Sequence, residues 1–220
     1  MRFRAIFLGT TFLASVAFGE LSGPTAKLTI ARLRYSGGGD WYNDPDVIPN
    51  LLAYIREHTN ILTAEDEARV GIMDPELFSY PMLYMTGHGN INFSEEEARR
   101  LREYLVHGGF LYADDDYGMD KAFRREMKKV FPDEELVELP YDYGLFHCHY
   151  DFPEGAPKVH EHYPGPPRTY GIFHDGRLVV LYTYNSNVSD GWTPSHNDPP
   201  KVREEALKFG VNIVVWALMQ

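Results

Sequence analysis

Residues 81–116 read PMLYMTGHGNINFSEEEARRLREYLVHGGFLYADDD and hold one complete structural unit. Pro81-Met-Leu-Tyr-Met-Thr86 is a short apolar run suited to a strand buried on both faces of a sheet. Gly87-His88-Gly89 breaks it. Ser94-Glu95-Glu96-Glu97 has the pattern of a capping box: the serine side chain accepts from the residue-97 amide while Glu97 reaches back. The helix it opens carries Ala98, Leu101 and Leu105 on one face, and Gly108-Gly109 stops it. Phe110-Leu-Tyr-Ala113 is the next strand, with Asp114-Asp115-Asp116 directly beyond its end. Strand, helix and strand within about thirty residues predict a βαβ unit, a parallel pair joined by a right-handed crossover.

Outward from this unit the chain continues the alternation. Leu28 to Tyr35 alternates in strand fashion and leads into the flexible loop Ser36-Gly-Gly-Gly-Asp-Trp41. Asp46 to His58 carries Val47, Leu51, Leu52 and Ile55 at helical spacing, with Asp44 and Asp46 as candidate caps. Lys121 to Val130 reads as another helix. Tyr141 to Pro167, rich in proline, histidine and aromatics, reads as a long ordered insertion. Gly171 to Tyr182 is a hairpin with Asp175-Gly176 as its turn. Lys201 to Met219 closes the chain as a helix that buries Val202, Ala206, Phe209, Ile213 and Ala217. Gly210 inside it costs about 1 kcal/mol against alanine, which marks a close packing contact. The predicted architecture is a mainly parallel α/β sandwich with an antiparallel hairpin addition, in a single domain over 20–220. There is no internal repeat.

The first nineteen residues have the form of a cleavable secretory signal peptide: Arg2 and Arg4, an uncharged run from Ala5 to Phe18, and small residues before Glu20. The run is short for a bilayer core of about 30 Å. Export to the periplasm or the extracellular space, with no stable membrane insertion after cleavage, is the expectation. Loss of the two leader arginines takes the formal charge from −11 to −13. With no basic cluster left, a nucleic-acid partner is excluded. Cys148 is the single cysteine, so an internal disulfide is impossible.

Ligands of open parallel sheets sit outside the carboxyl ends of the strands, where strand order reverses. Thr86-Gly-His-Gly-Asn90 and Asp114-Asp-Asp-Tyr-Gly118 both lie at such ends, joined by one βαβ unit. Flanking glycines expose His88 as a base, a metal ligand or a turn-holding residue. Three adjacent carboxylates call for a cation, basic partners or water, although one aspartate also suits the cap of the next helix. His147-Cys-His-Tyr-Asp151 and His160-Glu-His162 resemble raw material for a transition-metal site. On a strand, each histidine pair would share a face. The same histidines equally suit hydrogen bonds to nearby carboxylates. Cys148 lacks the positive or helix-terminal setting that a nucleophilic thiol needs. Asp190 and Trp192, with Trp41 as a counterpart, suit either a sugar-stacking surface or core closure.

These strings together resemble the bacterial domain-of-unknown-function family 4159, from about Lys27 to Gln220. Tyr80 to Gly89, Glu97 to Leu105, Gly108 to Asp115, Tyr150-Asp-Phe-Pro153, Gly176-Arg177, Asp190-Gly-Trp192 and Glu205 to Asn212 carry the resemblance. The family is similar to the class I glutamine amidotransferase-like group, to which trehalose-utilisation-type proteins are related. That resemblance implies a flavodoxin-like three-layer sandwich. It does not imply the amidotransferase activity, because the comparable turn here, Thr86-Gly-His-Gly89, has no thiol. The family pattern also places a His-Pro pair where this chain has Tyr143-Gly-Leu-Phe146. A histidine ligand there would be lost, or replaced by His147 or His149.

The leading expectation is an exported module that binds a small polar molecule or glycan. His88, Asp114 and Asp115 form its floor, and Asp151, Asp190 and Trp192 its walls. The alternative is a divalent-metal-dependent hydrolase with Asp114, Asp115, His147 and His149 as ligands. A third reading is an interaction domain of an envelope assembly, with a protein partner. No cofactor beyond a divalent metal is expected.

Overall fold

The computed structural model describes residues 27–220. The leader read at 1–19 lies outside the described residues. Seven strands and four helices follow in the order β1 (Ile30–Arg34), α1 (Val47–His58), β2 (Ala68–Gly71), β3 (Met82–Met85), α2 (Glu95–Val106), β4 (Phe110–Asp114), α3 (Asp120–Val130), β5 (Val137–Glu138), β6 (Arg168–His174), β7 (Arg177–Tyr184) and α4 (Pro200–Met219).

The strands form one sheet in the order β2-β1-β3-β4-β7-β6-β5. The first five run parallel, with Ile30 opposite Met82, Met82 opposite Phe110 and Leu111 opposite Val180. β6 and β5 extend it antiparallel. The chain goes from β1 to one neighbour, β2, and returns to the other, β3, so the order reverses between β1 and β3.

Alternation along the strands sends successive side chains to opposite faces. Leu83, Leu111, Ala113 and Val180 pack with α2 and α3, while Met82, Phe110, Tyr112 and Leu181 pack with α1 and α4. The result is an α/β sandwich with helices on both faces of a mostly parallel sheet. The capping box at Ser94 and Glu97 forms as expected. The β6–β7 turn has Asp175 and Gly176 at φ 50° and 80°, the double left-handed geometry of a tight hairpin. β7, however, is more than half of an added hairpin, because it also continues the parallel sheet beside β4. Among the described residues no helix is long and apolar enough to cross a membrane.

The 141–167 segment contains no strand. Gly144–His147 is a short 3-10 turn, so His147 and His149 do not share a strand face. Asn212 of α4 holds this segment: its Oδ1 accepts from the Tyr150 amide at 2.8 Å, and its Nδ2 donates to the Leu145 and Tyr150 carbonyls.

Candidate functional site

The loops at the carboxyl ends of β1, β3, β4 and β7 meet, and each is fixed by a different device. After β1, the fully buried Arg32 donates to the Asn43 and Asp44 carbonyls at 2.7 and 3.0 Å and pairs with Glu67 at 2.9 Å. A buried guanidinium is tolerated only with such partners. Here it fixes the loop that presents Asp40 and Asp44. After β3, Gly87 adopts φ 137°, and a Cβ there would lie 2.4 Å from the Tyr35 hydroxyl. The turn admits only glycine, and it aims His88 outward.

His88 is where the two segments singled out in the sequence converge. Its backbone bridges to Tyr117. Its Nδ1 lies 3.0 Å from Asp40 Oδ2 and 3.2 Å from Asp116 Oδ2, and its side chain is half exposed. The carboxylate that reaches it is Asp116, not Asp114 or Asp115. Asp114 is fully buried: Oδ2 accepts from the Ser189 amide and hydroxyl at 2.6 and 2.7 Å, and Oδ1 accepts from Thr183. Asp115 accepts from the Met119 amide at 3.0 Å, at the start of α3. Burial, then the charges of Asp114, Asp120 and Asp116, push its carboxyl up to about 7. Both residues build the floor from within and are closed to a ligand.

After β7 the chain turns through Asn187, which is fully buried in the left-handed region at φ 55°. Its Nδ2 lies 2.6 Å from Asp190 Oδ2, 3.0 Å from His162 Nε2, 3.1 Å from Asp116 Oδ1 and 3.2 Å from His160 Nδ1. Its Oδ1 has no partner. Asp190 is buried, and burial together with Asp116, Asp114, Asp44 and Asp198 pushes its carboxyl up to about 9. Its Oδ2 also lies 3.0 Å from His160 Nδ1, while the opposite nitrogen of that ring lies 3.0 Å from Asp198. On the outer side, one ligand atom each from Asp44, Asp190 and His196 lie within 4.8 Å of one another.

Of the residues named from sequence, the structure brings together His88, Asp116, His160, His162 and Asp190, with Asn187 among them. Trp192, Asp151, His147 and His149 lie elsewhere. Trp192 is a core residue at 0 % exposure, packed on Tyr84 and Tyr112, with its indole N–H donated to Ala206. It cannot serve as an open wall. Asp151 is exposed, pairs with His147, and lines a groove of about 640 Å³ with Tyr141, Phe152, Pro167 and Glu205. His149 lines a cleft with His58 and Asn60, at the end of α1 and the amino edge of the sheet. A shared ion on Asp114, Asp115, His147 and His149 therefore has no geometric basis.

Cys148 is partly buried, with Sγ against the Leu145 and Asn212 carbonyls, and burial pushes its thiol up to about 11. That setting disfavours a thiolate. Asp40, Asn187 and His196 carry no motif in the sequence. Position after a parallel strand marks Asp40, whereas Asn187 and His196 follow β7, whose parallel pairing is a tertiary fact.

Comparison with functionally curated proteins gives no match. Residues 29–218 match the family described as a domain of unknown function, DUF4159, and this span covers most of the chain. On that match, the chain belongs to the DUF4159 family.

Proposed function

We propose that the protein is an exported bacterial domain that binds a small polyhydroxylated molecule, a sugar or short glycan, at the carboxyl edge of its sheet. The observation that carries this reading is the pairing of a half-exposed imidazole with an exposed ring on adjoining loops. Tyr117 is 48 % exposed. Its ring lies 5.0 Å from His162 and 5.5 Å from Tyr163, which in turn stacks on Tyr184. An aromatic face takes the apolar side of a sugar, while the carboxylate of Asp40, one-third exposed, accepts from its hydroxyls. Tyr117 takes the stacking role that the buried Trp192 cannot.

The charge at this edge argues against anionic ligands. Asp40, Asp44, Asp116 and Asp198 crowd it, and Arg32 beneath it is committed to Glu67 and backbone carbonyls. Lys158 is turned to the Tyr163 and Gly165 carbonyls. Counted among the parallel strands alone, the order 2-1-3-4-5 is that of flavodoxin-like sheets, which supports the amidotransferase-like assignment of the fold. The residues after β3 offer no thiol for that activity.

A thermal-shift series with mono- and oligosaccharides, with phosphate and nucleotides as controls, tests the reading. A ligand at a hundredfold excess over its dissociation constant stabilises by about 2.7 kcal/mol. Saccharides are expected to raise the melting temperature, and His88→Ala and Tyr117→Ala to abolish the rise. Stabilisation by phosphate alone, or saccharide stabilisation that survives both substitutions, contradicts the reading.

A further inference from the structure

The carboxylate of Asp190 divides the cluster into an inner and an outer side. On the inner side, the Asn187 Nδ2 is surrounded by two carboxylate oxygens, from Asp116 and Asp190, and two ring nitrogens, from His160 and His162, all within 3.2 Å. An amide nitrogen carries two hydrogens and can serve two of them. The other half of the same amide, Oδ1, is buried with no donor at all. His160 adds to the imbalance. If its Nε2–H donates to Asp198, its Nδ1 presents a lone pair to Asp190 Oδ2 only 3.0 Å away. Acceptors here outnumber donors around an amide that is itself fully buried. Such an arrangement favours added positive charge.

On the outer side, Asp190 Oδ1 faces His196 from a side chain that is 7 % exposed. His196 Nε2 is 3.9 Å from it and 3.1 Å from Asp44 Oδ1. In a tetrahedral site with bonds of about 2.0–2.1 Å, neighbouring ligand atoms are about 3.3 Å apart. The separations of 3.1 and 3.9 Å bracket that spacing, and all three ligand atoms lie within 4.8 Å of one another. Asp44 sits where it does because Arg32 binds its carbonyl.

We propose that Asp44, Asp190 and His196 hold a divalent transition-metal ion of the zinc class. Asp190 Oδ1, Asp44 Oδ1 and His196 Nε2 are its protein ligands. Asn187 and His160 orient Asp190 through its other oxygen, and Asp198 orients His160, as outer-shell partners orient metal ligands elsewhere. Three protein ligands leave a position for water or for a substrate oxygen. The side chains of His196 and Asp44 are 31 % and 16 % exposed, so that position is reached from solvent. Bound there, the ion would polarise a substrate oxygen or lower the pKa of its water, beside the rim that carries His88 and Tyr117.

The test is zinc binding by the purified protein after EDTA treatment and exhaustive dialysis, followed by calorimetry with zinc chloride and metal analysis of the product. One equivalent of zinc is expected. His196→Ala and Asp44→Asn each weaken binding by more than about 100-fold, His160→Ala weakens it by about 10–100-fold, and His147→Ala and His149→Ala leave it unchanged. Circular dichroism of the metal-free variants checks folding. Should His196→Ala fail to fold, Asp44→Asn, which keeps the shape of the side chain, decides. Less than about a fifth of an equivalent, unchanged affinity in a folded His196→Ala or Asp44→Asn, or loss of binding in His147→Ala overturns the metal site. None of these outcomes bears on the saccharide reading, which is scored separately on the metal-free protein through His88 and Tyr117.

Discussion

Asp114, Asp115 and Asp116 stand side by side, yet each carboxylate serves a different part of the molecule. Asp114 ties the end of β4 to Thr183 and Ser189, Asp115 holds the start of α3, and Asp116 alone reaches the rim. Adjacency in sequence marked the place but not this division, which depends on how the backbone turns after the strand. For Asp115 the burial that raises its carboxyl to about 7 has a definite sign. The folded protein holds the proton more tightly than the unfolded chain, so this contribution is full below about pH 4 and is lost as pH rises through about 7. Asp115→Asn keeps an acceptor for the Met119 amide and cannot ionise. Its stability relative to the parent should therefore rise between pH 5 and 7, by at most about 1.4 kcal/mol per pH unit, in urea unfolding. A constant difference across that range contradicts the account. Asp114→Ala strands the buried Ser189 amide, and a loss of about 1–3 kcal/mol or more is expected in the same measurement.

At the scale of elements, β3, α2 and β4 were legible because burial on both faces and a capping box leave strong marks. β2 and β5 were not. In β2 only Val70 is buried, and β5 is two exposed residues, so neither shows a period. Asp46 was legible as a cap by position, but its side chain makes no capping bond and accepts from Thr193 instead. The packing role read for Gly210 can be tested directly. An added Cβ there would lie 2.6 Å from Leu51 Cδ1 and 3.0 Å from Trp192 Cζ2. Both neighbours are fully buried, so an overpacking cost of about 1–3 kcal/mol should outweigh the helix-propensity gain of about 1 kcal/mol. Gly210→Ala should lower the melting temperature, and an increase would show that the contact yields. Ser94→Ala removes half of the capping box and should cost about 1 kcal/mol by urea unfolding, with no effect on zinc or saccharide binding.

In the whole molecule, loops from four parallel strands and the 141–167 insertion converge on one edge. Only part of this could be read from the chain. The rule that ligands sit at carboxyl ends pointed to His88 and to the acids after β4. The end of β7 stayed hidden because its strand reads as half of a local hairpin, and its parallel pairing with β4 is a tertiary fact. His160 and His162 were visible as a pair, but nothing local says that a proline-rich insertion folds back over β7. The nine histidines now report on the central claim, that this edge is where the protein binds. Side-chain imidazole NMR during a zinc titration of the metal-free protein measures it directly. The account predicts that His160, His162 and His196 shift together and saturate at one equivalent, while His58, His107, His147, His149 and His174 stay in place. Shifts confined to those five, or none at the carboxyl edge, would contradict it.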